Sequence, residues 1–100
     1  MAHNWQLTFD DNVPVQLARL PPRDRMAVFR SIARLLQAEN PASVPGVKKL
    51  VEKRFEGMWR QRQGNYRIFF ELHPGTTVHL SHTYTGRLHL VVIHHRSRAY

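Results

Sequence analysis

The feature that most constrains this chain is the dipeptide Gly64-Asn65, which separates two strand-like runs, 58–63 and 66–72. Gly and Asn adopt the positive φ angles of a two-residue β-hairpin loop at little steric cost. A loop of this length sets one pairing register for the two strands that it joins. The sequence therefore predicts an antiparallel hairpin with a defined register.

In that register Arg62 lies opposite Arg67, and Arg60 lies opposite Phe69. Side chains alternate between the two faces of a strand, so each face has its own composition. The face suited to packing under helices consists of Trp59, Tyr66, Ile68 and Phe70. The opposite face carries Arg60, Arg62, Arg67 and Phe69, and we call it the arginine face.

Helical patterns precede the hairpin. After an alternating run at 5–9, which predicts a first strand, an Asp-Asp-Asn cluster at 10–12 and Pro14 indicate a helix start. Pro21-Pro22 interrupts that short helix. Apolar residues then recur at helical spacing from Asp24 until Asn40-Pro41, which predicts a second, amphipathic helix. The segment 47–55 is ambiguous and has partly helical character.

Strand patterns dominate the second half of the chain. Two further strands are predicted at 77–83 and 88–94, with turns at Pro74-Gly75 and Thr85-Gly86. The last strand is almost wholly apolar, which predicts a central position with both faces buried. We therefore expect an α+β fold, in which an N-terminal strand and a two-helix hairpin pack on one face of a twisted, mainly antiparallel sheet of four to five strands.

Bulk composition limits the class of protein. We expect one domain, 1–100, and the chain has no apolar run near the ~18–20 residues that span a bilayer. The N-terminus lacks the basic and apolar regions of a signal peptide. The absence of cysteine excludes disulfides and thiolate catalysis. A cytoplasmic protein without membrane association is expected.

Charge is the most informative bulk property. Fifteen Lys and Arg residues against seven Asp and Glu residues give a net charge of +8, and twelve of the fifteen are Arg. Such a domain attracts polyanions, and the guanidinium group can bind phosphate through two hydrogen bonds. Arginines interleaved with Phe69 on the arginine face favour single-stranded nucleic acid, bound by phosphate contact and base stacking. The alternative is a solvated basic face without a ligand.

The C-terminal end carries the residues suited to proton transfer. The last strand leads directly into His94, His95, Arg96, Arg98 and Tyr100. Histidine can act as an acid or base near neutral pH, and arginine can stabilise a phosphorane-like transition state. A frayed polar tail is the alternative interpretation. The other histidines have no metal-ligand spacing, so neither a metal nor another cofactor is expected.

Two blocks of the sequence resemble the RelE/ParE superfamily of toxins. The first comprises Lys48-Lys49-Leu50, 57–62 and 64–71; the second is the ending, 92–100. The resemblance implies the toxin of a toxin–antitoxin pair. RelE-type members cleave mRNA in the ribosomal A site without a metal, by attack of a 2′-hydroxyl on the adjacent phosphate.

The resemblance also implies roles for individual residues. Arg60 and Arg62 match the family's basic pair, Arg67 its phosphate-stabilising arginine, and Tyr100 its closing tyrosine. His94 or His95 falls where the family places an acid or base. The full set is then Arg67, His94, His95 and Tyr100 for catalysis, with Arg60, Arg62, Lys48, Lys49, Phe69, Arg96 and Arg98 for RNA binding.

Two other functions remain open at this point. ParE-type members share the fold and inhibit DNA gyrase, and a basic RNA-binding domain without activity would show the same composition. In either toxin case the partner is an antitoxin with an acidic or amphipathic segment that wraps the basic surface; mRNA and the ribosome are further partners of the RelE type. The stretch Thr76–Thr85 is longer than the family's usual link between its last two strands and predicts an added strand or flap.

Overall fold

The computed structural model describes residues 4–97. The strands are β1 (Trp5–Phe9), β2 (Val47–Lys49), β3 (Met58–Gln63), β4 (Tyr66–His79) and β5 (His82–His95), and the helices are α1 (Asn12–Arg19) and α2 (Pro22–Gln37). The strands form one sheet in the order β1-β5-β4-β3-β2, in which β1 pairs with β5 in parallel and the other neighbours are antiparallel. The predicted α+β fold, with two helices on one face of a five-stranded sheet, is confirmed.

The two prolines between the helices act as predicted. Pro22 occupies the first turn of α2, where its missing N–H costs no helical hydrogen bond. Arg25 on α2 links the two helices, because its guanidinium donates to the carbonyls of Leu17 (3.1 Å), Ala18 (3.4 Å) and Leu20 (3.0 Å) at the end of α1. This satisfies carbonyl groups that a helix end leaves without intrahelical partners.

The core lies between α2 and the sheet. Val28, Ile32, Leu35 and Leu36 on α2 are buried against the sheet residues Ile68, Phe70, Leu88, Leu90 and Ile93. The predicted hairpin register is confirmed, because Arg62 pairs with Arg67 and Arg60 with Phe69. The arginine face is therefore the sheet face that points away from the helices.

The predicted turns at Pro74-Gly75 and Thr85-Gly86 are wrong. Both dipeptides lie inside one long hairpin of β4 and β5, whose two-residue loop is Leu80-Ser81 with φ angles of 49° and 64°. Pro74 adjoins an irregularity in the ladder instead of a reversal. Gly86 is selected by packing, because a Cβ atom there would lie 2.5 Å from the indole ring of Trp5.

The segment 47–55, whose pattern was ambiguous, forms the edge strand β2 and, after a gap, a 3-10 turn at Lys53–Phe55. One other expectation needs correction. The last strand is not buried on both faces, because only its helix-facing residues are in the core while His89 and Val92 are half-buried. Between residues 4 and 97, no helix is long and apolar enough to span a membrane.

Candidate nucleic-acid interface

Three cationic or titratable side chains form one row across the arginine face. Arg62 on β3, Arg67 on β4 and His94 on β5 are consecutive cross-strand partners. Directly opposed residues point to the same side of a sheet, with Cβ atoms about 4.5–5.5 Å apart. The adjacent row holds Lys48, Arg60, Phe69 and Val92. The structure thus brings four of the predicted basic residues, from three strands, and one histidine onto one surface.

A β-bulge decides which of the two adjacent histidines joins this row. Phe70 pairs with Leu90 and Phe69 with Val92, so Val91 is an extra residue in β5. A bulge shifts the alternation of the strand that contains it. Strict alternation from the buried Leu90 would put His94 on the helix side, whereas after the bulge His94 lies opposite Arg67 on the arginine face.

His95 lies on the other side of the sheet. Its ring contacts that of Tyr66 edge-on at 5.2 Å, and the Tyr66 hydroxyl donates to Asp24 on α2 at 2.8 Å. The backbone N–H of Ser97 donates to Nδ1 of His95 at 3.2 Å, so this nitrogen is the acceptor of that hydrogen bond. His95 is therefore held by its own turn and by the helix-facing layer, apart from the arginines.

Helix α1 completes the edge of β5 where β1 ends. β1 stops at Phe9, opposite Leu90. Beyond that point, Asn12 donates to the carbonyl of Val91 at 3.2 Å, and the N–H of Ile93 donates to the side-chain oxygen of Gln16 at 2.8 Å. These bonds replace a missing strand for the backbone groups next to the bulge. They hold the segment that presents His94.

Phe69 does not offer a surface for base stacking. Its side chain is 1% exposed, although it stands on the arginine face. Phe55, from the 3-10 turn before β3, covers it with a ring contact at 5.3 Å and 89°. The His94 ring lies 6.0 Å from Phe69 on the β5 side. Phe69 therefore packs beneath the surface and supports its neighbours.

The remaining predicted RNA-binding residues divide between the faces. Lys48 is exposed beside Arg60 on the arginine face. Lys49 is not part of this surface: it pairs with Trp59, whose ring its amino group approaches at 5.8 Å on the other face. Arg96 is exposed just after β5. Arg98 and Tyr100 lie outside the described residues.

Sequence reasoning missed a second polar cluster on the same face. His89 on β5 bridges Thr8, whose hydroxyl lies 2.7 Å from Nδ1, and Asp10, whose carboxylate lies 2.7 Å from Nε2. Arg87 donates to the Thr8 hydroxyl at 3.1 Å. No local pattern indicates this cluster, because the parallel register of β1 against β5 brings together residues about 80 positions apart. The cluster fastens β1 to the sheet.

A groove borders the site. It has a volume of about 430 Å³ and lies at the end of β5, and its lining includes Arg19, Leu20, Tyr66, His94 and His95. His94 thus adjoins both the groove and the arginine row. Among residues 4–97, no group of three or more Asp, Glu or His side chains is placed to hold a metal ion.

Fold and surface together define a small α+β domain with two helices on one face of a five-stranded sheet and a basic opposite face. The solved structures similar to it include the RelBE2 toxin–antitoxin complex of Mycobacterium tuberculosis (TM-score 0.65, 19% identity, covering 93% of this chain and 99% of that chain). They also include the RelB–RelE antitoxin–toxin complex of Methanococcus jannaschii (TM-score 0.60, 20% identity, 90% and 91%) and the archaeal RelE–RelB complex of Pyrococcus horikoshii OT3 (TM-score 0.63, 20% identity, 96% and 99%). No family model matches the sequence, and no curated protein matches it significantly. At these identities the likeness establishes the fold alone.

Proposed function

We propose that this chain is the toxin of a toxin–antitoxin pair and that it cleaves mRNA without a metal ion. The row of Arg62, Arg67 and His94 is the observation that carries the proposal. Two arginines and an imidazole on neighbouring strands suit the charge and the proton transfers of phosphodiester cleavage. The RelE-type fold supports the toxin role, because the three matching structures are toxin–antitoxin complexes by name.

The proposed reaction needs three functions from the chain. The 2′-oxygen of a ribose forms a bond to the adjacent phosphorus, and the bond from phosphorus to the 5′-oxygen breaks. One group removes the 2′-hydroxyl proton and another protonates the leaving oxygen, which leaves a 2′,3′-cyclic phosphate and a 5′-hydroxyl. We assign the proton transfers to His94 and Tyr100 and the stabilisation of the phosphorane charge to Arg67, with Arg60 and Arg62 binding flanking phosphates.

The charge of the arginine face also indicates which partners the chain would bind. An antitoxin with an acidic or amphipathic segment would neutralise the arginine face and cover His94, and such a segment folds as it binds. The substrate is mRNA that is being translated, so we place the chain in the cytoplasm and expect it to act with the ribosome. We assign contacts with flanking phosphates of the RNA also to Lys48 on the edge strand β2 and to Arg96 just after β5, both of which are exposed.

The test is to induce the wild-type chain, an Arg67→Ala variant and an Arg67→Ala/Tyr100→Phe double variant in a bacterial host and to map mRNA 5′ ends. We expect new ends inside translated codons with the wild type and their loss in both variants. Arg30→Ala on α2 is the matched control, because Arg30 is an exposed arginine on the opposite side of the fold. It should cleave like the wild type.

Other outcomes would overturn the proposal. Growth arrest with intact mRNA and halted DNA replication would assign the chain to gyrase inhibition, since ParE-type toxins share this fold. If the Arg67→Ala variant cleaved mRNA as fully as the wild type does, the assignment of the site would be wrong. Salt-dependent RNA binding without cleavage products would leave a binding domain.

A further inference from the structure

The groove at the end of β5 differs from the arginine face in what its walls offer a ligand. Its apolar walls include Leu20 and Pro21 from the connection between α1 and α2, and Ile93 from β5. Its volume of about 430 Å³ lies within the usual range of small-ligand pockets. Of the described residues, 4–97, no Asp or Glu lines it. The groove therefore suits a compact, partly apolar group that carries no positive charge.

Three polar side chains in the lining of the groove provide hydrogen-bond donors. Oε1 of Gln16 accepts from the N–H of Ile93 at 2.8 Å, which fixes the amide and makes its NH2 group, a donor only, the second polar group. Nδ1 of His95 accepts from the N–H of Ser97 at 3.2 Å, so the ring carries its hydrogen on Nε2. Arg19 is exposed at the end of α1, and its guanidinium has donors only. A ligand that fits this set must present acceptors.

The groove adjoins the arginine row. His94 lines the groove and is also the cross-strand partner of Arg67 in that row. Sequence-specific recognition of RNA commonly uses bases that are splayed out of a single strand and hydrogen-bonded on their edges. A nucleotide whose phosphate is bound at the row can therefore place its base in the groove.

We propose that the groove binds one nucleobase of the RNA and selects a keto base, guanine or uracil, over the amino bases adenine and cytosine. Guanine presents O6 and N7 as acceptors, and uracil presents the carbonyl oxygen O4. Adenine and cytosine carry an amino group at the same edge, which would face the donors of Gln16 and Arg19. Donors that face each other lose their hydrogen bonds to water without gaining new ones. This inference rests on the proposed function, since it requires RNA phosphate at the arginine row.

The experiment measures the binding of short oligonucleotides with 2′-O-methyl riboses, which cannot be cleaved by 2′-hydroxyl attack. Each ligand is abasic except for one central base, which is guanine, uracil, adenine or cytosine. A fully abasic ligand with the same number of phosphates is the reference. The ratio of keto-base to amino-base affinity then reports on the groove, and the affinity for the reference reports on phosphate binding alone.

Two variants alter the donors of the groove. Arg19→Lys retains the charge and removes the planar fork of donors. Gln16→Glu retains an oxygen for the N–H of Ile93 and replaces the NH2 donor by an acceptor. Gln37→Glu is the matched control for the added charge, because Gln37 is the exposed last residue of α2, about 20 Å from the start of that helix beside the groove.

We expect the wild type to bind each keto-base ligand about tenfold more tightly than either amino-base ligand, as one well-placed pair of hydrogen bonds predicts. Arg19→Lys should lower this ratio towards one and leave the affinity for the abasic reference unchanged. Gln16→Glu should abolish or reverse the preference, and Gln37→Glu should keep the ratio of the wild type. Thermal unfolding of each variant, measured in parallel, reports whether it folds, and Arg19→Lys decides the question alone if Gln16→Glu does not.

Several results would overturn the inference and leave the proposed function standing. If the wild type binds the base-bearing ligands no more tightly than the abasic reference, no base enters the groove. If it binds all four bases equally or prefers the amino bases, the groove does not select a keto base. A keto preference that persists in both variants would mean that other groups read the base. If the wild-type chain binds none of the ligands, the reference included, the proposed function fails together with the inference.

Discussion

Arg67 and His94 are direct cross-strand partners, and they are so only because Val91 bulges out of β5. The bulge decides which face each of two adjacent histidines occupies: His94 lies with the arginines, and His95 with Tyr66 on the helix side. We therefore predict that His94→Gln lowers the rate of RNA cleavage by about 10²–10⁴-fold, the usual contribution of a general acid or base. His95→Gln should change it by less than about tenfold, because His95 would only pack near the reaction. Single-turnover cleavage of a translated mRNA measures both.

A larger loss for His95→Gln than for His94→Gln would reverse this assignment. Deletion of Val91 gives an independent check, since it removes the extra residue of the bulge and leaves His94 opposite Arg67. If the deletion variant keeps the helical circular dichroism of the fold, it should also keep cleavage, and loss of cleavage would mean that the bulge has a role beyond placing His94.

Arg62 and Arg67 face each other across the β3–β4 hairpin, and like charges in this position destabilise a sheet. We predict that Arg62→Gln raises the free energy of unfolding by about 0.2–1 kcal/mol. RNA binding should weaken at the same time, with the slope of log K against log salt falling by about 0.7. Urea denaturation and binding titrations at several salt concentrations measure the two effects.

The stabilisation should shrink in high salt, because the repulsion is electrostatic. Arg30→Gln is the control, and neither its stability nor its RNA affinity should change appreciably. A destabilised Arg62→Gln variant would mean that Arg62 has a structural role that outweighs the repulsion.

Gly86 is required by the indole of Trp5. A Cβ atom at position 86 would lie 2.5 Å from that ring and 2.9 Å from the carbonyl oxygen of His73. We predict that Gly86→Ala lowers the free energy of unfolding by about 1–3 kcal/mol, as overpacking of a well-packed core does. Denaturant titration measures the change. In a Trp5→Leu background the cost of Gly86→Ala should fall, and equal costs in both backgrounds would contradict the steric explanation.

The loop Leu80-Ser81 is strained by its own residues. Both have positive φ, and Leu80 is 87% exposed, so no burial offsets the strain. Replacing the loop by Asn-Gly, the residues preferred where both φ angles are positive, should raise the free energy of unfolding by about 1–2 kcal/mol. Thermal unfolding measures this gain. RNA cleavage should stay at the wild-type level, and loss of activity with a stable fold would instead assign a binding role to Leu80.

Local patterns were sufficient for much of this protein. Gly64-Asn65 set the register of β3 and β4, and apolar spacing located α2, because a tight loop and a helical repeat are encoded within a few residues. The opposition of Arg62 and Arg67 followed from the same register. The sequence alone therefore predicted the part of the candidate site that lies on the β3–β4 hairpin.

Contacts between distant segments decided the rest. The bulge at Val91 selects His94 instead of His95, a loop residue buries Phe69, and Trp5 explains why Gly86 stands within a strand. Each depends on how one strand or loop meets another far along the chain, where residue-by-residue propensity carries no information. The sequence by itself determined which elements form and which residues share the hairpin's faces. Only the tertiary structure decided which side chains reach the surface together, because packing between non-local segments selects among locally equivalent arrangements.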